Sequence, residues 1–191
     1  MSLEEWQKEF LEKGSLQSGQ PTAILTENNL SKAEGNAGNV GIKVTDVTEQ
    51  YVRAATPGKG DVNCDDGYHI NGHQEEIKAA NWLRNTFGGN VRLLKESKEH
   101  GSKTPDFLWN ERSWELKGVT SLNSIDRAVR EAAKQIQDNP GGIILNLLDT
   151  AQSSEAIENA ILQRARRINL DTIDVLLLSD GSLIRILRYQ K

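Results

Sequence analysis

From residue 67 onwards, the apolar positions follow helical and strand-like spacings in turn. In residues 125–137 they lie at i, i+3, i+4, i+7 and i+11, the spacing of an amphipathic helix. The runs at 142–149 and 173–180 are almost entirely apolar, which is typical of strands buried on both faces. The predicted elements are helices at 73–87, 125–137 and 153–169, strands at 91–94, 142–149, 173–180 and 183–189, and a hairpin within 104–118. This order predicts an α/β fold, a mixed central sheet flanked by helices on both faces.

Residues 1–66 have a different pattern. Residues 4–13 are compatible with one short helix, and the long stretch that follows is rich in Gly, Ser, Asn and Gln. A brief strand-like segment at 41–48 and a turn-rich segment at 55–67 complete this part. We interpret residues 1–66 as a linker or entry segment, with a small ordered subdomain as the alternative, and residues 67–191 as the functional domain.

Charge and hydropathy exclude several classes of protein. The net charge is −4, with 6 basic and 11 acidic residues in 1–66 and 17 basic and 16 acidic residues in 67–191. A general nucleic-acid-binding protein is more basic, so a local patch or a metal ion would have to bind a polyanionic substrate. The sequence has no apolar run of the ~20 residues that a membrane span needs, and the N-terminus lacks the pattern of a signal peptide. We therefore expect a soluble protein with no membrane segment in this chain.

The segment TPDFLWNERSWELKG, residues 104–118, combines strand-like alternation with three charged positions. A two-residue turn at Asn110-Glu111 would place Asp106 directly opposite Glu115 on the two strands. Because side chains alternate between the faces of a strand, one face would be apolar and the other polar. The apolar face would contain Phe107, Trp109, Trp114 and Leu116, and the polar face Asp106, Leu108, Ser113, Glu115 and Lys117.

Two carboxylates facing each other across a ladder destabilise a hairpin unless a positive charge lies between them. A divalent cation would supply that charge, since hard cations prefer oxygen ligands. Glu76 adds a third carboxylate, because it shares the apolar stripe of the helix at 73–87, while Glu75 lies about 100° away on the helix flank. We therefore expect Glu76, Asp106, Glu115 and Lys117 to converge, with Glu75 as the alternative to Glu76.

The succession of Glu76 on a helix, Pro105-Asp106, and Glu115-Leu116-Lys117 resembles the PD-(D/E)XK nuclease superfamily. The wider pattern, from HQEEIKAANWL through FGGNV, TPDFLW and WELKG to KQI and LRYQK, resembles C-terminal toxin domains of the contact-dependent growth inhibition (CdiA) type. Such domains also end phage-like head-morphogenesis and other polymorphic-toxin proteins.

The resemblance implies a metal-dependent nuclease and a role for each matching residue. Asp106 and Glu115 would be the principal metal ligands, Glu76 would complete the shell directly or through water, and the backbone carbonyl of Leu116 would coordinate as well. Lys117 would orient the attacking water and stabilise the phosphate. Gln135 would have a secondary role near the site or on a substrate phosphate. The metal would be Mg²⁺, with Mn²⁺ or Zn²⁺ as alternatives.

The toxin resemblance also implies a substrate and a partner. tRNA would be the substrate and a cognate immunity protein the partner, and the toxin would act in the cytoplasm of a target cell as the C-terminal part of a larger exported protein. The alternatives are a DNA endonuclease of the same fold and a non-catalytic capsid-associated binding module.

Three weaker signals lie outside this set of residues. Arg127, Arg130 and Lys134 form a basic stripe, which is either solvated or a phosphate contact. Arg164, Arg166 and Arg167 allow the same two interpretations. The spacing of Cys64, His69 and His73 matches no closed structural zinc site.

Overall fold

The structure is a computed structural model that describes residues 41–97, 104–148 and 151–191. The chain divides between Gly38 and Asn39, and all described residues belong to the second unit. The predicted helix at 4–13 lies outside them. The helices are α1 (Thr48–Ala54), α2 (Gln74–Thr86), α3 (Leu122–Ile136) and α4 (Ser154–Ala165), and Ile70–Gly72 forms a 3₁₀ turn. The strands are β1 (Lys43–Asp46), β2 (Val62–Cys64), β3 (Val91–Leu93), β4 (Phe107–Trp109), β5 (Arg112–Val119), β6 (Pro140–Leu147), β7 (Thr172–Ser179) and β8 (Ser182–Gln190).

The eight strands form one mixed sheet in the order β1-β8-β7-β6-β5-β4-β3-β2. The pairs β5–β6, β6–β7 and β2–β3 are parallel, and the other four pairs are antiparallel. Parallel pairs need crossover connections. α2 connects β2 to β3, α3 connects β5 to β6, and α4 connects β6 to β7. This is the mixed α/β architecture that the order of hydrophobic patterns predicts.

Each face of the sheet carries its own hydrophobic core. On one face, α3 and α4 pack against β6 and β7, with Val129, Ile136 and Ile161 fully buried. On the other face, α2 packs against β3, β4 and the first half of β5, with Leu83 and Phe107 fully buried. Burying one such side chain contributes about 1.5–3 kcal/mol, so these two layers hold the strands of the hairpin in place.

The helices and strands predicted from residue 67 onwards are all present, with shifts of a few residues at their ends. α3 begins three residues earlier than its apolar periodicity, because the Ser121 hydroxyl caps the helix by accepting from the Ser124 N–H. α4 ends at Ala165 rather than at residue 169. No described helix is long and apolar enough to cross a membrane.

The sheet extends into residues 41–66, where the pattern predicts only one strand. β1 lies within the predicted strand-like segment and pairs with β8, while α1 and β2 are not predicted. The sheet therefore contains strands from both sides of the predicted boundary between residues 66 and 67. β1 and β2 are short edge strands with mostly exposed side chains, so they carry little hydrophobic signal.

Candidate functional site

The β4–β5 hairpin has the predicted register. Phe107 pairs with Trp114, Leu108 with Ser113 and Trp109 with Arg112, which leaves Asn110 and Glu111 as a two-residue turn. Both turn residues have positive φ, 47° and 65°, as a type I′ turn requires. The Asn110 side chain accepts a hydrogen bond from the Asn90 N–H at 3.1 Å, which fixes the turn against the residue before β3.

The hairpin separates apolar from charged side chains as the alternation predicts. Phe107, Trp109 and Trp114 are buried in the core beneath α2, and Leu116 packs against that core while partly exposed. Glu115 is fully buried at 0% exposure, although it belongs to the opposite, polar face. A buried carboxylate is costly unless hydrogen bonds or charges compensate it, so its partners are informative.

Asp106 and Glu115 each accept a hydrogen bond from the backbone of the other strand. The Asp106 N–H donates to Glu115 Oε2 at 3.0 Å, and the Leu116 N–H donates to Asp106 Oδ2 at 2.7 Å. Lys117 Nζ donates to Glu115 Oε1 at 2.5 Å, with its side chain 25% exposed. The three residues are therefore held together at the open end of the hairpin.

Burial raises the pKa of Asp106 to about 8, and the neighbouring charge of Glu115 adds to that effect. Burial also raises the pKa of Glu115, while the hydrogen bond from Lys117 opposes the increase. The negative charge of Glu76 also raises the pKa of both Asp106 and Glu115. Three carboxylates therefore share one region, and Lys117 compensates only part of their negative charge.

Glu76 lies at the start of α2 with its side chain 22% exposed. Tyr68 donates its hydroxyl hydrogen to Glu76 Oε2 at 2.8 Å, and His73 Nδ1 lies 2.8 Å from Glu76 Oε1. Glu75 is 73% exposed and pairs with Lys78 on the surface, so Glu76 is the acid of this helix that faces the hairpin carboxylates. Among the described residues, no group of three His, Cys, Asp or Glu side chains is arranged to hold a metal ion.

The secondary candidate residues contact different parts of the structure. Gln135 on α3 donates to the Thr104 carbonyl at 3.3 Å, two residues before Asp106, so it contacts the segment leading into the hairpin. Arg127 is paired with Glu131 at 2.9 Å. Arg130 and Lys134 are exposed on the same helix. Arg164 contacts Asp126, which gives that arginine a structural partner between α4 and α3.

Tyr68 and His73 belong to the site but were not predicted as part of it. In the sequence, His73 is a candidate only for a zinc site with Cys64 and His69. The available signal was the spacing of three residues between His73 and Glu76 at a helix start, which brings their side chains together. Tyr68 had no local signal, because a turn and the 3₁₀ segment bring it to Glu76.

No family model and no curated protein matches this sequence. Among solved structures, the comparison aligns it with a chain of a CdiA-CT/CdiI toxin and immunity complex from Burkholderia pseudomallei, at 18% sequence identity and a TM-score of 0.41. The alignment covers 64% of this chain and 97% of that chain. A likeness at this level assigns neither a family nor an activity to the protein.

Proposed function

We propose that this protein is a metal-dependent phosphodiesterase of the PD-(D/E)XK type, acting as a nuclease toxin on tRNA. The observation that carries the proposal is the contact between Asp106, Glu115 and Lys117 at the open end of the β4–β5 hairpin. Burial raises the pKa of both carboxyl groups, and the charge of Glu115 raises that of Asp106 further. Such a pair is costly to a fold, which makes it a candidate functional site.

The proposed cation is a divalent ion of the Mg²⁺ type, with Asp106 and Glu115 as its two carboxylate ligands. Asp106 and Glu115 offer hard oxygen atoms, and their mutual repulsion would be relieved by a cation between them. The Leu116 carbonyl is a further candidate ligand, since its residue lies between Glu115 and Lys117. When bound, the ion would lower the pKa of a coordinated water and offset charge developing on the phosphate. Mn²⁺ or Zn²⁺ are the alternatives to test.

Lys117 is the cationic group of the proposed mechanism. Its ammonium has three N–H donors, and one of them binds Glu115 Oε1. The remaining donors would orient the attacking water and stabilise the charge that accumulates on the phosphate oxygens. Because Glu115 fixes the position of Nζ, this donor would be preorganised before the substrate binds.

Glu76 would complete the site from α2. Both of its oxygen atoms already have partners in Tyr68 and His73, which favours coordination through a water rather than direct coordination. Gln135 would act indirectly, by holding the Thr104 segment that leads to Asp106.

The substrate and biological context rest on the sequence resemblance to CdiA-type toxin domains. We propose tRNA as the substrate, a cognate immunity protein as the partner, and action in the cytoplasm of a target cell after delivery as part of a larger exported protein. A DNA endonuclease of the same fold is the alternative within the same chemistry. A non-catalytic binding module is the alternative from another class, and the contacts among Asp106, Glu115 and Lys117 favour an enzyme over it.

The test is a cleavage assay on total tRNA and on plasmid DNA, with Mg²⁺, Mn²⁺, Zn²⁺ or EDTA. The variants are Asp106→Ala and Lys117→Met, with Asp138→Ala and Lys43→Met as matched controls at exposed positions. We expect metal-dependent cleavage of tRNA, a loss of at least about 100-fold in rate for each site variant, and wild-type rates for both controls.

Each other outcome revises a different part of the proposal. Cleavage of DNA alone, with the same dependence on Asp106 and Lys117, would keep the chemistry and replace the substrate. Cleavage that persists in EDTA would refute the metal requirement. Absence of cleavage of either nucleic acid with every metal would refute the enzyme and favour the binding module.

A further inference from the structure

A cavity of about 410 Å³ lies at the turn end of the β4–β5 hairpin, opposite the end that carries the carboxylates. This volume is within the range of about 300–1,000 Å³ that is usual for small-molecule sites. Its walls come mainly from α1, the hairpin and the start of β6, and none of the described residues that line it is Asp or Glu. Arg112 in the wall and Glu115 are three residues apart on β5, so about 10 Å of strand separates the two sites.

One wall of the cavity is a cluster of aromatic rings. Trp109 contacts three other rings, with centroid distances of 5.1 Å to Trp114, 5.7 Å to Phe87 and 6.0 Å to Tyr51. All four rings line the cavity. Aromatic side chains that are fixed by mutual packing favour a planar ring system as their ligand, because such rings stack or meet edge to face.

Trp114 adds a hydrogen-bond donor to this wall. The residue is 3% exposed, and its indole N–H has no hydrogen-bond partner in the described part of the chain, although the nitrogen is not sealed from solvent. A Cβ at position 141 would lie 2.3 Å from Trp114 Nε1, so Gly141, which also lines the cavity, leaves that nitrogen uncovered. Native proteins rarely leave such a buried donor unpaired, and this one can bind an acceptor atom of a ligand.

Two arginines also line the cavity. Arg188 donates from Nε and Nη2 to the Asp174 carboxylate, which compensates much of its charge. Arg112 donates from Nε to the Pro140 carbonyl at 3.2 Å, and it forms no ion pair with any described residue. Both arginines also line an adjacent polar hollow of about 510 Å³. The Nη groups of Arg112 therefore combine free N–H donors with an uncompensated positive charge, which suits a phosphate.

We propose that this cavity binds a nucleotide, with the nucleobase against the aromatic wall and the phosphate on the Nη groups of Arg112. A nucleobase has the flat face that the rings favour and acceptor atoms for the Trp114 N–H. The phosphate supplies the negative charge that complements Arg112. The adjacent polar hollow leaves room for a chain to continue, so the same chemistry admits a free nucleotide or one within a single strand. The hairpin carboxylates and a metal ion take no part in this binding.

The experiment is isothermal titration calorimetry on the intact protein in EDTA. The ligands are adenosine 5′-monophosphate, adenosine, which lacks the phosphate, and ribose 5-phosphate, which lacks the base. We expect adenosine 5′-monophosphate to bind with a dissociation constant below about 1 mM. Each truncated ligand should bind at least about fivefold more weakly, since it loses either the stacking or the charged hydrogen bonds.

Two variants test the assigned contacts. Arg112→Met, at an exposed position, should weaken binding of adenosine 5′-monophosphate by at least about tenfold and leave binding of adenosine unchanged. Arg53→Met is the matched control, because Arg53 is an exposed arginine of α1 that does not line the cavity, and it should keep the wild-type affinity. Trp114→Phe keeps a ring but removes the N–H and should weaken binding about two- to tenfold. If that variant does not fold, Arg112→Met still decides the test.

A single-stranded tetraadenylate RNA distinguishes the two sources of the nucleotide. Equal affinities for the tetramer and for adenosine 5′-monophosphate would identify a free nucleotide as sufficient. Binding of the tetramer alone, weakened in Arg112→Met, would identify a nucleotide within a chain. Binding of neither ligand would overturn the inference, and so would equal binding of ribose 5-phosphate and adenosine 5′-monophosphate, or an affinity that is unchanged in Arg112→Met.

Asp106→Ala separates this inference from the proposed nuclease. We expect this variant to bind adenosine 5′-monophosphate as the wild type does, because Asp106 does not line the cavity. Lost binding in Asp106→Ala would assign the nucleotide to the hairpin carboxylates and overturn the inference. A failed cleavage assay would leave nucleotide binding at this cavity intact, and absent nucleotide binding would leave the proposed nuclease intact.

Discussion

At the scale of single residues, the site consists of groups whose positions are costly to the folded state. Glu115 is fully buried, and its hydrogen bonds to Lys117 and to the Asp106 N–H offset part of the cost of desolvation. Asp106 has a single hydrogen bond to its carboxylate among those described, from the Leu116 N–H. Its ionised form is the less well compensated of the two, and its pKa is raised to about 8.

Neutralising Asp106 should therefore stabilise the metal-free protein. We expect Asp106→Asn to raise the melting temperature in EDTA at pH 8.5 by at least about 2 °C, because it removes the repulsion from Glu115 and the desolvation cost of an ionised carboxylate. Differential scanning fluorimetry measures this shift. Asp138→Asn at an exposed position serves as the control and should change the melting temperature by less than about 1 °C. A lower melting temperature for Asp106→Asn would contradict the assigned repulsion.

At the scale of elements, one buried ionic group fastens α1 to the sheet. Asp174 on β7 is 6% exposed and accepts two hydrogen bonds from Arg188 on β8, at 2.7 and 2.8 Å. The Tyr51 hydroxyl on α1 donates to the same carboxylate at 2.6 Å. Since α1 has no fully buried residue of its own, this contact and the packing of Tyr51 hold the helix in place.

Removing Arg188 from its contact with Asp174 should destabilise the protein more than removing a surface ion pair. We expect Arg188→Met to lower the free energy of unfolding by about 1–3 kcal/mol, because the buried Asp174 carboxylate loses its counter-charge and keeps the Tyr51 hydroxyl as a hydrogen-bond donor. Arg53→Met, which removes an exposed pair with Glu49, is the control and should cost less than about 1 kcal/mol. Urea unfolding measures both values. The double variant Asp174→Asn/Arg188→Met should be more stable than Arg188→Met alone, and a less stable double variant would contradict this explanation.

At the scale of the whole molecule, the raised carboxylate pKa values link stability to pH. Above about pH 4 the unfolded chain loses the Asp106 proton, whereas the folded chain keeps it until about pH 8. Unfolding therefore releases a proton in this range, and stability falls as pH rises. The raised pKa of His73 acts in the same direction, since its charged form is favoured in the folded state.

We expect the free energy of unfolding in EDTA to fall between pH 5 and pH 8, with a contribution of up to about 1.4 kcal/mol per pH unit from Asp106. Urea unfolding at several pH values measures the slope. Asp106→Asn should flatten it, and saturating Mg²⁺ should flatten it for the wild type, because a bound cation favours the ionised carboxylates. A slope that is unchanged in Asp106→Asn would show that other groups are responsible.

The sequence by itself determined the order of elements from residue 67 onwards. It also determined the register and the two faces of the hairpin, on the assumption of a two-residue turn. These features depend on local periodicity and on the two-residue turn, and neighbouring residues alone encode both. Sequence also favoured Glu76 over its alternative Glu75, because Glu76 shares the apolar stripe of α2 and Glu75 lies on its flank. The metal, the substrate and the role of each site residue remain predictions.

Tertiary structure decided the features that depend on distant partners. α1 and β2 have weak local patterns. α1 is fixed by contacts with Asp174 on β7 and Ile186 on β8, and β2 by its pairing with β3, all far along the chain. Tyr68 and His73 join the site because the chain between β2 and α2 folds back over Glu76. Sequence predicted a contact between two site residues only where their separation matched the period of a helix or the pairing of a hairpin. Elsewhere the packing of the two cores brought them together.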